Sequence, residues 1–337
     1  MSMRQSTLLL LAALAGPLAA SAQSVEVKDW QAVCDNTRSC RAAGYSAQGS
    51  DMPVSVLLAR ASGPGMPVVG ELQLGTMDAH AVRPQSVVLA IAGRPAGTIR
   101  VDRDNHAVLA PPVVAALLKA VVGGAEVSFS AGKSTWRLSA SGAAEALQQI
   151  DDVQGRAGRP SALVRKGSGN DADVASPMSA PRMDAPRLHA ASQPGDDALA
   201  VRVLATIRSN ADCPLLDDGG AQAKARLWHL DANRLLVTQP CHAAANNAGN
   251  GYWIANLRPP YDAKPMTYSG LDYDGSGSIN AQQLTGAAGD CGTVEAWTWN
   301  GYRFEATFAA TGGLCRGVKA GGAWQLPSLV TDVIPGN

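Results

Sequence analysis

Six cysteines that follow an N-terminal secretion-type segment constrain the fold of this chain more than any other feature. An even cysteine count behind such a segment predicts three disulfides formed in an oxidising compartment. Other connectivities are open, but the simplest pairs neighbours along the chain: Cys34–Cys40, Cys213–Cys241 and Cys291–Cys315. No CxxC motif occurs, so a thioredoxin-like redox site is not indicated, and metal–thiolate ligation is the weaker alternative.

Residues 1–22 predict a signal peptide. Arg4 gives a short positive region, residues 8–20 are apolar, and Ala20-Ser21-Ala22 fits a small-residue cleavage site. The apolar run is too short to span a bilayer, and no later segment is long enough. We therefore expect a periplasmic or secreted protein, cleaved near Ala22, with no transmembrane segment in the mature chain.

The charge of the mature chain is balanced. Removal of Arg4 from the 28 basic residues leaves 27, against 28 acidic residues, so the net charge is −1. This balance argues against nucleic acid or an anionic membrane surface as the partner.

A change of composition divides the mature chain. Residues 166–195 are rich in Gly, Ser, Asp, Ala and Pro and contain almost no large apolar side chains. Such a segment buries too little surface to offset its ordering entropy. We therefore predict a disordered, flexible linker at 166–195 between an N-terminal β-rich domain with two helices (23–165) and a C-terminal domain (196–337) with one helix and antiparallel β-hairpins. The fold class is α+β, with both domains tied by disulfides.

Three segments predict helices. Residues 111–122 begin with proline and stop at Gly123-Gly124, and residues 141–153 offer Ser141 as an N-cap. Residues 196–208 carry apolar side chains at helical spacing behind two acidic residues.

Asn300-Gly301 predicts a two-residue β-hairpin turn in the last third of the chain. With that turn, Trp299 is opposite Tyr302 and Trp297 is opposite Phe304, so the four aromatic side chains share one face. This face is either the core of the C-terminal domain, packed on the helix at 196–208, or a sugar-stacking platform. The core is the favoured interpretation, because an isolated hairpin needs such a face buried.

One segment resembles a calcium-binding loop. In residues 272–283, the side chains that occupy ligand positions are Asp272, Asp274, Ser276 and Asn280. Gln283 stands where the bidentate glutamate belongs, and no helix precedes the loop. A polar turn is the simpler interpretation, and calcium is the only cofactor that the sequence leaves open.

Catalytic signatures are absent from the sequence. There is no G-x-S-x-G motif, and the five histidines do not pair at metal-ligand spacing. An envelope hydrolase therefore needs a site assembled from distant residues, for which His229 or His242 with Asp290 are the candidates.

Several motifs resemble a family of bacterial periplasmic proteins with six cysteines, catalogued as domain of unknown function 1176. The motifs are residues 30–44 (WQAVCDNTRSCRAAG), 150–156 (IDDVQGR), 160–164 (PSALV), 289–292 (GDCG), 299–304 (WNGYRF) and 315–317 (CRG). The chain departs from the family pattern at Ala287-Ala288, where the family has Arg-Gly, and in the residues after Cys241. The resemblance implies secretion, disulfides, including Cys291–Cys315, and a two-part β-rich fold, but no activity.

The first domain is also loosely similar to invasion-associated locus B proteins, through an early Trp and Cys and a late Ser-Gly-Ala helix.

Abundant scaffold signals and the lack of a catalytic constellation favour a non-enzymatic binding or interaction module of the cell envelope. Its partner is expected to be a protein or another envelope component. An envelope hydrolase or a calcium-stabilised structural protein is the alternative.

Overall fold

The computed structural model describes residues 23–77, 82–186, 188, 193–208, 210–244, 247–271, 273 and 275–336. The fold is β-rich with few helices and contains three disulfides. Within these residues, every helix is too short or too polar to cross a membrane. The predicted signal peptide lies outside the described residues.

The first half contains two antiparallel sheets and two helices. Its elements are β1 (Gln23–Val27), β2 (Trp30–Cys34), β3 (Cys40–Tyr45), β4 (Val54–Arg60), β5 (Val69–Leu74), β6 (Ser86–Ile91), β7 (Arg94–Arg100), β8 (His106–Leu109), α1 (Pro111–Val122), β9 (Val127–Ala131), β10 (Ser134–Leu138) and α2 (Ala143–Val153). The six-stranded sheet has the order β1-β2-β3-β4-β5-β8, and the four-stranded sheet has the order β10-β9-β6-β7.

The central strand β4 is covered on both faces, since all of its residues except Ala59 are buried. Val56 and Leu58 pack in a core shared by both sheets and both helices. Leu57 points the other way and packs against residues from the second half of the chain. The six-stranded sheet is therefore an internal layer.

The two helices of the first half differ in how well their ends were predicted. Helix α1 has the predicted bounds, with proline at its start and glycine after its last residue. Helix α2 starts at Ala143, and Gly142 rather than Ser141 occupies the N-cap, without a side-chain cap bond. Gly142 adopts a φ of +89°, and a Cβ there would overlap the carbonyl oxygen of Val27. The close approach of β1 therefore decides where the helix begins.

The second half is dominated by one antiparallel sheet. Its elements are β11 (Arg182–Ala185), α3 (Asp196–Leu204), α4 (Gly219–Gln222), β12 (Arg226–His229), β13 (Arg234–Ala244), β14 (Asn247–Asn256), β15 (Lys264–Gly270), β16 (Ser278–Thr285), β17 (Cys291–Trp299), β18 (Phe304–Thr311), β19 (Leu326–Val330) and β20 (Asp332–Pro335). Strands β12 to β19 form the eight-stranded sheet in chain order, and β11 pairs with β20 in parallel.

The eight-stranded sheet has a separate cluster on each face. Helix α3 ends at Leu204, earlier than the predicted Arg208, and packs with Trp253 on one face. Trp299 belongs to the other cluster, with Tyr252 and Ile279. The prediction that the hairpin aromatics pack on this helix is therefore wrong, because the sheet lies between them.

The Asn300-Gly301 turn is longer than predicted. Trp299 pairs with Phe304, so the loop spans residues 300–303. Only Gly301 of the two turn residues has positive φ. The Asn300 carboxamide oxygen accepts the amides of Tyr302 and Arg303, both at 2.9 Å, which closes the wider loop. Tyr302 is consequently 78% exposed rather than part of a four-residue aromatic face.

The described part of residues 166–195 carries structure where a disordered linker was predicted. A short 3-10 turn occupies Asp171–Asp173, and Val174 is buried. The Ser62 hydroxyl donates to the Ala175 carbonyl at 2.5 Å. Further along, β11 pairs with β20. Composition did not reveal this order, because main-chain hydrogen bonds to distant segments supply much of it. The domain boundaries themselves stay a prediction.

The two halves contact each other through the C-terminal segment. Trp324 packs on Tyr45 and Leu57, and its indole donates to the Ser55 hydroxyl at 2.7 Å. The Asn36 carboxamide bonds both the amide and the carbonyl of Val330, at 2.9 and 3.0 Å. The second half therefore covers the outer face of the six-stranded sheet.

The disulfides in the structure join neighbours along the chain. They are Cys34–Cys40, Cys213–Cys241 and Cys291–Cys315. The first closes the turn between β2 and β3 that presents Asn36 to β19.

Candidate functional site

The residues proposed from the sequence do not form one site. Of the calcium set, Asp272 and Asp274 lie outside the described residues. Ser276 lies in an exposed turn, where its hydroxyl accepts the Ser278 amide, and Asn280 lies in β16 opposite Ala296. The calcium site therefore stays a prediction.

The histidine–aspartate pairs proposed for a hydrolase have other arrangements. His229 contacts Asp196, with 3.0 Å between Nε2 and Oδ1, and Asp196 is buried. The Asp290 carboxylate accepts the Gly317 amide at 2.6 Å. Asp290 also lies close to the sulfurs of Cys291 and Cys315, but these sulfurs are bonded to each other and provide no thiolate for a metal. Asp290 is thus a structural acceptor at the base of this disulfide loop. His242 lies in β13 opposite Gly249.

The strongest candidate for a binding site is an apolar groove of about 730 Å³ in the first half. It lies between α1 and the segment that follows α2. Its lining residues are Arg60, Val68, Ala115, Leu118, Lys119, Val122, Gly123, Ser161, Ala162, Leu163, Val164 and Lys166. Its volume is within the usual range for small-molecule pockets, which are mostly apolar with a few convergent polar groups. We call it the α1 groove.

One wall of the α1 groove is held in place by Asp151. Its carboxylate oxygens accept the amides of Leu163 and Val164 at 2.8 to 2.9 Å. Asp151 is fully buried at the end of α2. Burial raises the pKa of this carboxyl, and the two amides oppose the shift. The wall therefore depends on a buried acceptor rather than on regular secondary structure.

The IDDVQGR motif supplies the rest of the support. Gln154 donates to the carbonyls of Arg38 and Arg60, at 3.0 and 2.9 Å. Arg156, which is fully buried, donates to the carbonyl of Gly63 at 2.6 Å and to the Ser161 hydroxyl at 3.1 Å. The motif thus fixes the end of β4, the loop after it and the wall at residues 161–164 relative to one another.

Arg60 is the most buried of the charged residues that line the α1 groove. It is only 8% exposed, and its guanidinium donates to the carbonyls of Met66 and Ser161 at 2.8 and 2.7 Å. Burial, reinforced by the positive charge of Arg156, lowers the pKa of Arg60 to about 10. A perturbed basic group in a pocket is a marker of a functional site, although structural networks produce such shifts too.

The charge of the α1 groove has one sign. Lys119 and Lys166 are exposed on its walls, and none of the described residues that line it is acidic. Lys166 donates to the Pro160 carbonyl at 3.0 Å. Lys119 lies in the last turn of α1, where a cation is favoured by the helix dipole. The groove therefore combines apolar walls with positive charge.

A second cavity, of about 690 Å³, lies between the six-stranded sheet and residues 319–325. His106 lines it, with Nε2 at 2.7 Å from Glu71 and Nδ1 at 3.6 Å from Asp102. Nε2 is hydrogen-bonded to Glu71, so in this arrangement that nitrogen already has a protein partner. Trp324 lies edge-on to the imidazole. This cavity is the less suitable site, since its groups already satisfy one another.

Sequence reasoning missed the residues of the α1 groove. The IDDVQGR and PSALV segments indicate only the family resemblance in the sequence. Arg60 stands out there only as the last residue of a mostly apolar strand. An arginine directly after a run of buried residues indicates a charge near the core, but its partners come from segments far apart in the chain.

Comparison with known proteins gives a family and no function. The family model described as "Protein of unknown function (DUF1176)" matches residues 24–331. No curated protein and no solved structure matches the chain. The comparisons do not show the similarity of the first half to invasion-associated locus B proteins.

Proposed function

Because the chain belongs to the DUF1176 family, whose description names no activity, we propose its function from the α1 groove alone. We propose that the protein is a non-enzymatic binding module of the cell envelope. Its ligand is a small molecule with an aliphatic part, bound between α1 and residues 161–166.

The observation that supports this proposal is the groove itself. Apolar side chains from Val68, Leu118, Val122 and Leu163 remain only partly buried in it. An aliphatic ligand that covers them removes apolar surface from water, which contributes about 25 cal/mol per Å². The wall at residues 161–164 is held by hydrogen bonds to the buried side chains of Asp151 and Arg156. A groove held this firmly is preorganised for binding.

Secretion is part of the same proposal. The three disulfides are consistent with an extracytoplasmic protein. The proposal includes the predicted signal peptide at residues 1–22, cleaved near Ala22. N-terminal sequencing of the exported protein tests it.

Calorimetric titration with neutral alcohols tests the binding function. Each buried methylene contributes about 0.8 kcal/mol, so 1-decanol should bind roughly tenfold more tightly than 1-octanol. Ala115 is exposed on the groove wall, so Ala115→Phe should fill the groove and abolish the heat of binding. Ala96→Phe, at an exposed position of β7, is the matched control and should bind as the wild type does. Binding unaffected by Ala115→Phe would contradict the proposal.

The alternatives from the sequence keep their own tests. A hydrolase is supported if turnover of an envelope substrate is lost on His229→Ala or His242→Ala while folding is retained. Calcium-stabilised structure requires heat on calcium addition that is lost on Asp272→Ala. For this second alternative, an unchanged melting temperature with calcium would rule the site out.

A further inference from the structure

Arg60 carries a charge that lacks a close counter-ion. Its guanidinium has five N–H donors, of which Nε bonds to Met66 and one η1 hydrogen bonds to Ser161. The η2 nitrogen has no hydrogen-bond partner in the part of the chain that the structure describes. No carboxylate of those residues lies within ion-pair distance of Arg60. The side of the guanidinium formed by the η1 and η2 nitrogens, which we call the η1–η2 edge, is thus available for a ligand.

The two carboxylates whose charge acts on Arg60, those of Asp151 and Asp171, are hydrogen-bonded to other groups. Both oxygens of Asp151 bind main-chain amides. Asp171 accepts the Ser161 hydroxyl at 2.5 Å, a contact that lowers its pKa. Their negative charge acts on Arg60 only from beyond ion-pair distance, and the positive charge of Arg156 opposes it. Lys119 and Lys166 add further positive charge at the groove.

Arg60 is 8% exposed as a whole residue and has no ion-pair partner among the described residues, and its unbonded η2 nitrogen retains contact with solvent. Burial of a charge is unfavourable unless it is paired and hydrogen-bonded. Arginine binds carboxylates through two parallel N–H···O bonds, a geometry that suits a planar carboxylate at the free edge of Arg60. Lys119 and Lys166 on the groove walls also favour a negatively charged ligand.

We propose that the ligand of the α1 groove is a free fatty acid, with its chain along the apolar wall and its carboxylate on the η1–η2 edge of Arg60. This inference rests on the proposed binding function and assigns the ligand class. A cavity of about 730 Å³ suits one small ligand rather than a two-chain lipid. Lys119 and Lys166 attract the carboxylate from the solvent side.

The test compares three ligands with the same chain and different head groups: decanoate, 1-decanol and decyltrimethylammonium. Titration of the wild-type protein is expected to give affinity for decanoate at least tenfold above that for decanol, since hydrogen bonds to charged groups are the stronger ones. The ammonium compound is expected to bind most weakly. Equal affinity for decanoate and decanol would overturn the fatty-acid assignment while leaving the binding function intact. The absence of binding by all three would overturn both proposals.

Variants locate the head group. Lys119→Glu and Lys166→Glu alter exposed side chains. Each should lower the affinity for decanoate about two- to fivefold and leave the affinity for decanol unchanged. Lys133→Glu makes the same charge change at an exposed turn outside the groove and should have no effect. Arg60→Lys keeps the positive charge but removes the paired N–H donors of the guanidinium, and should lower the affinity for decanoate about tenfold. If Arg60→Lys does not fold, the two lysine variants decide. Lysine variants that leave the preference for decanoate over decanol unchanged contradict the proposal.

Anionic phospholipid is the other outcome of the experiment. Cosedimentation with phosphatidylglycerol vesicles is measured beside the titrations. Vesicle binding that decanoate does not inhibit, together with no heat from decanoate, would reject a free fatty acid in favour of a membrane surface.

Discussion

Replacement of Trp324 by alanine tests whether the C-terminal segment stabilises the six-stranded sheet. The indole is 8% exposed and packs with Val33, Tyr45 and Leu57 from the first half. A tryptophan buries roughly 150–250 Å², which at about 25 cal/mol per Å² corresponds to about 4–6 kcal/mol. Measured Trp→Ala changes in cores are about 3–5 kcal/mol, so we expect a loss in that range.

The hydrogen bond of the indole adds little to this loss. The Ser55 hydroxyl, which accepts from Trp324 at 2.7 Å, also donates to the Gly44 carbonyl at 2.8 Å. Removal of the indole therefore leaves Ser55 with a partner, and the change is dominated by lost packing.

The assay is equilibrium unfolding in urea with the disulfides intact. Tyr302→Ala is the control, because this side chain is 78% exposed and its loss should change the free energy of unfolding by under about 0.5 kcal/mol. A lower midpoint for Trp324→Ala with an unchanged m-value indicates a loss of stability of the whole unit. A change below about 1 kcal/mol, or the appearance of two separate transitions, would show that the C-terminal segment does not stabilise the six-stranded sheet.

Two further predictions concern the supports of the groove and of the contact between the halves. Asp151→Asn leaves a single oxygen to accept the amides of Leu163 and Val164 and places an NH2 group against the Leu163 amide in place of Oδ1, so it should destabilise the protein by about 1–3 kcal/mol. Burial raises the pKa of Asp151, so the folded state binds a proton more readily than the unfolded state, and the wild-type protein gains stability as the pH falls through the folded-state pKa. Asparagine does not titrate there. The difference in unfolding free energy between the wild type and Asp151→Asn, measured in urea, should therefore widen in acid. A difference that narrows in acid would contradict this. Asn36→Ala removes both bonds to Val330 and should cost about 1–3 kcal/mol in the same measurement, whereas no change would show that the two halves do not depend on this contact.

The elements with strong local signals were predicted well from the sequence. Helix α1 has the predicted bounds because proline and glycine fix both of its ends within the chain itself. The β-rich character followed from short apolar runs separated by turn residues. The family resemblance agrees with the match over residues 24–331.

Features that depend on distant partners were not predictable. The start of α2 is set by β1 against Gly142, and the order around Val174 is set by contacts with Ser62 and its neighbours. The turn after Trp299 widens because the Asn300 side chain bonds two amides beyond it. In each case a side-chain or main-chain contact decides between conformations that the local sequence allows.

The candidate site was the least predictable part of the molecule. It is formed where Arg60, from the end of β4, meets α1 and residues 161–166. The sequence shows an apolar strand, an apolar helix and a short motif, each of which is also consistent with simple packing. The placement of an arginine among them without a close counter-ion becomes visible only in three dimensions.

Photo-crosslinking with a fatty acid that carries a diazirine at the end of its chain tests whether the α1 groove binds a fatty acid. After irradiation, the protein is reduced and digested, and the labelled peptides are identified by mass spectrometry. We expect label on peptides that contain Leu118 or Leu163, and we expect excess decanoate and the Ala115→Phe substitution to suppress it. Label spread evenly over the chain, or concentrated in the second half, would contradict the assignment of the α1 groove as a fatty-acid site.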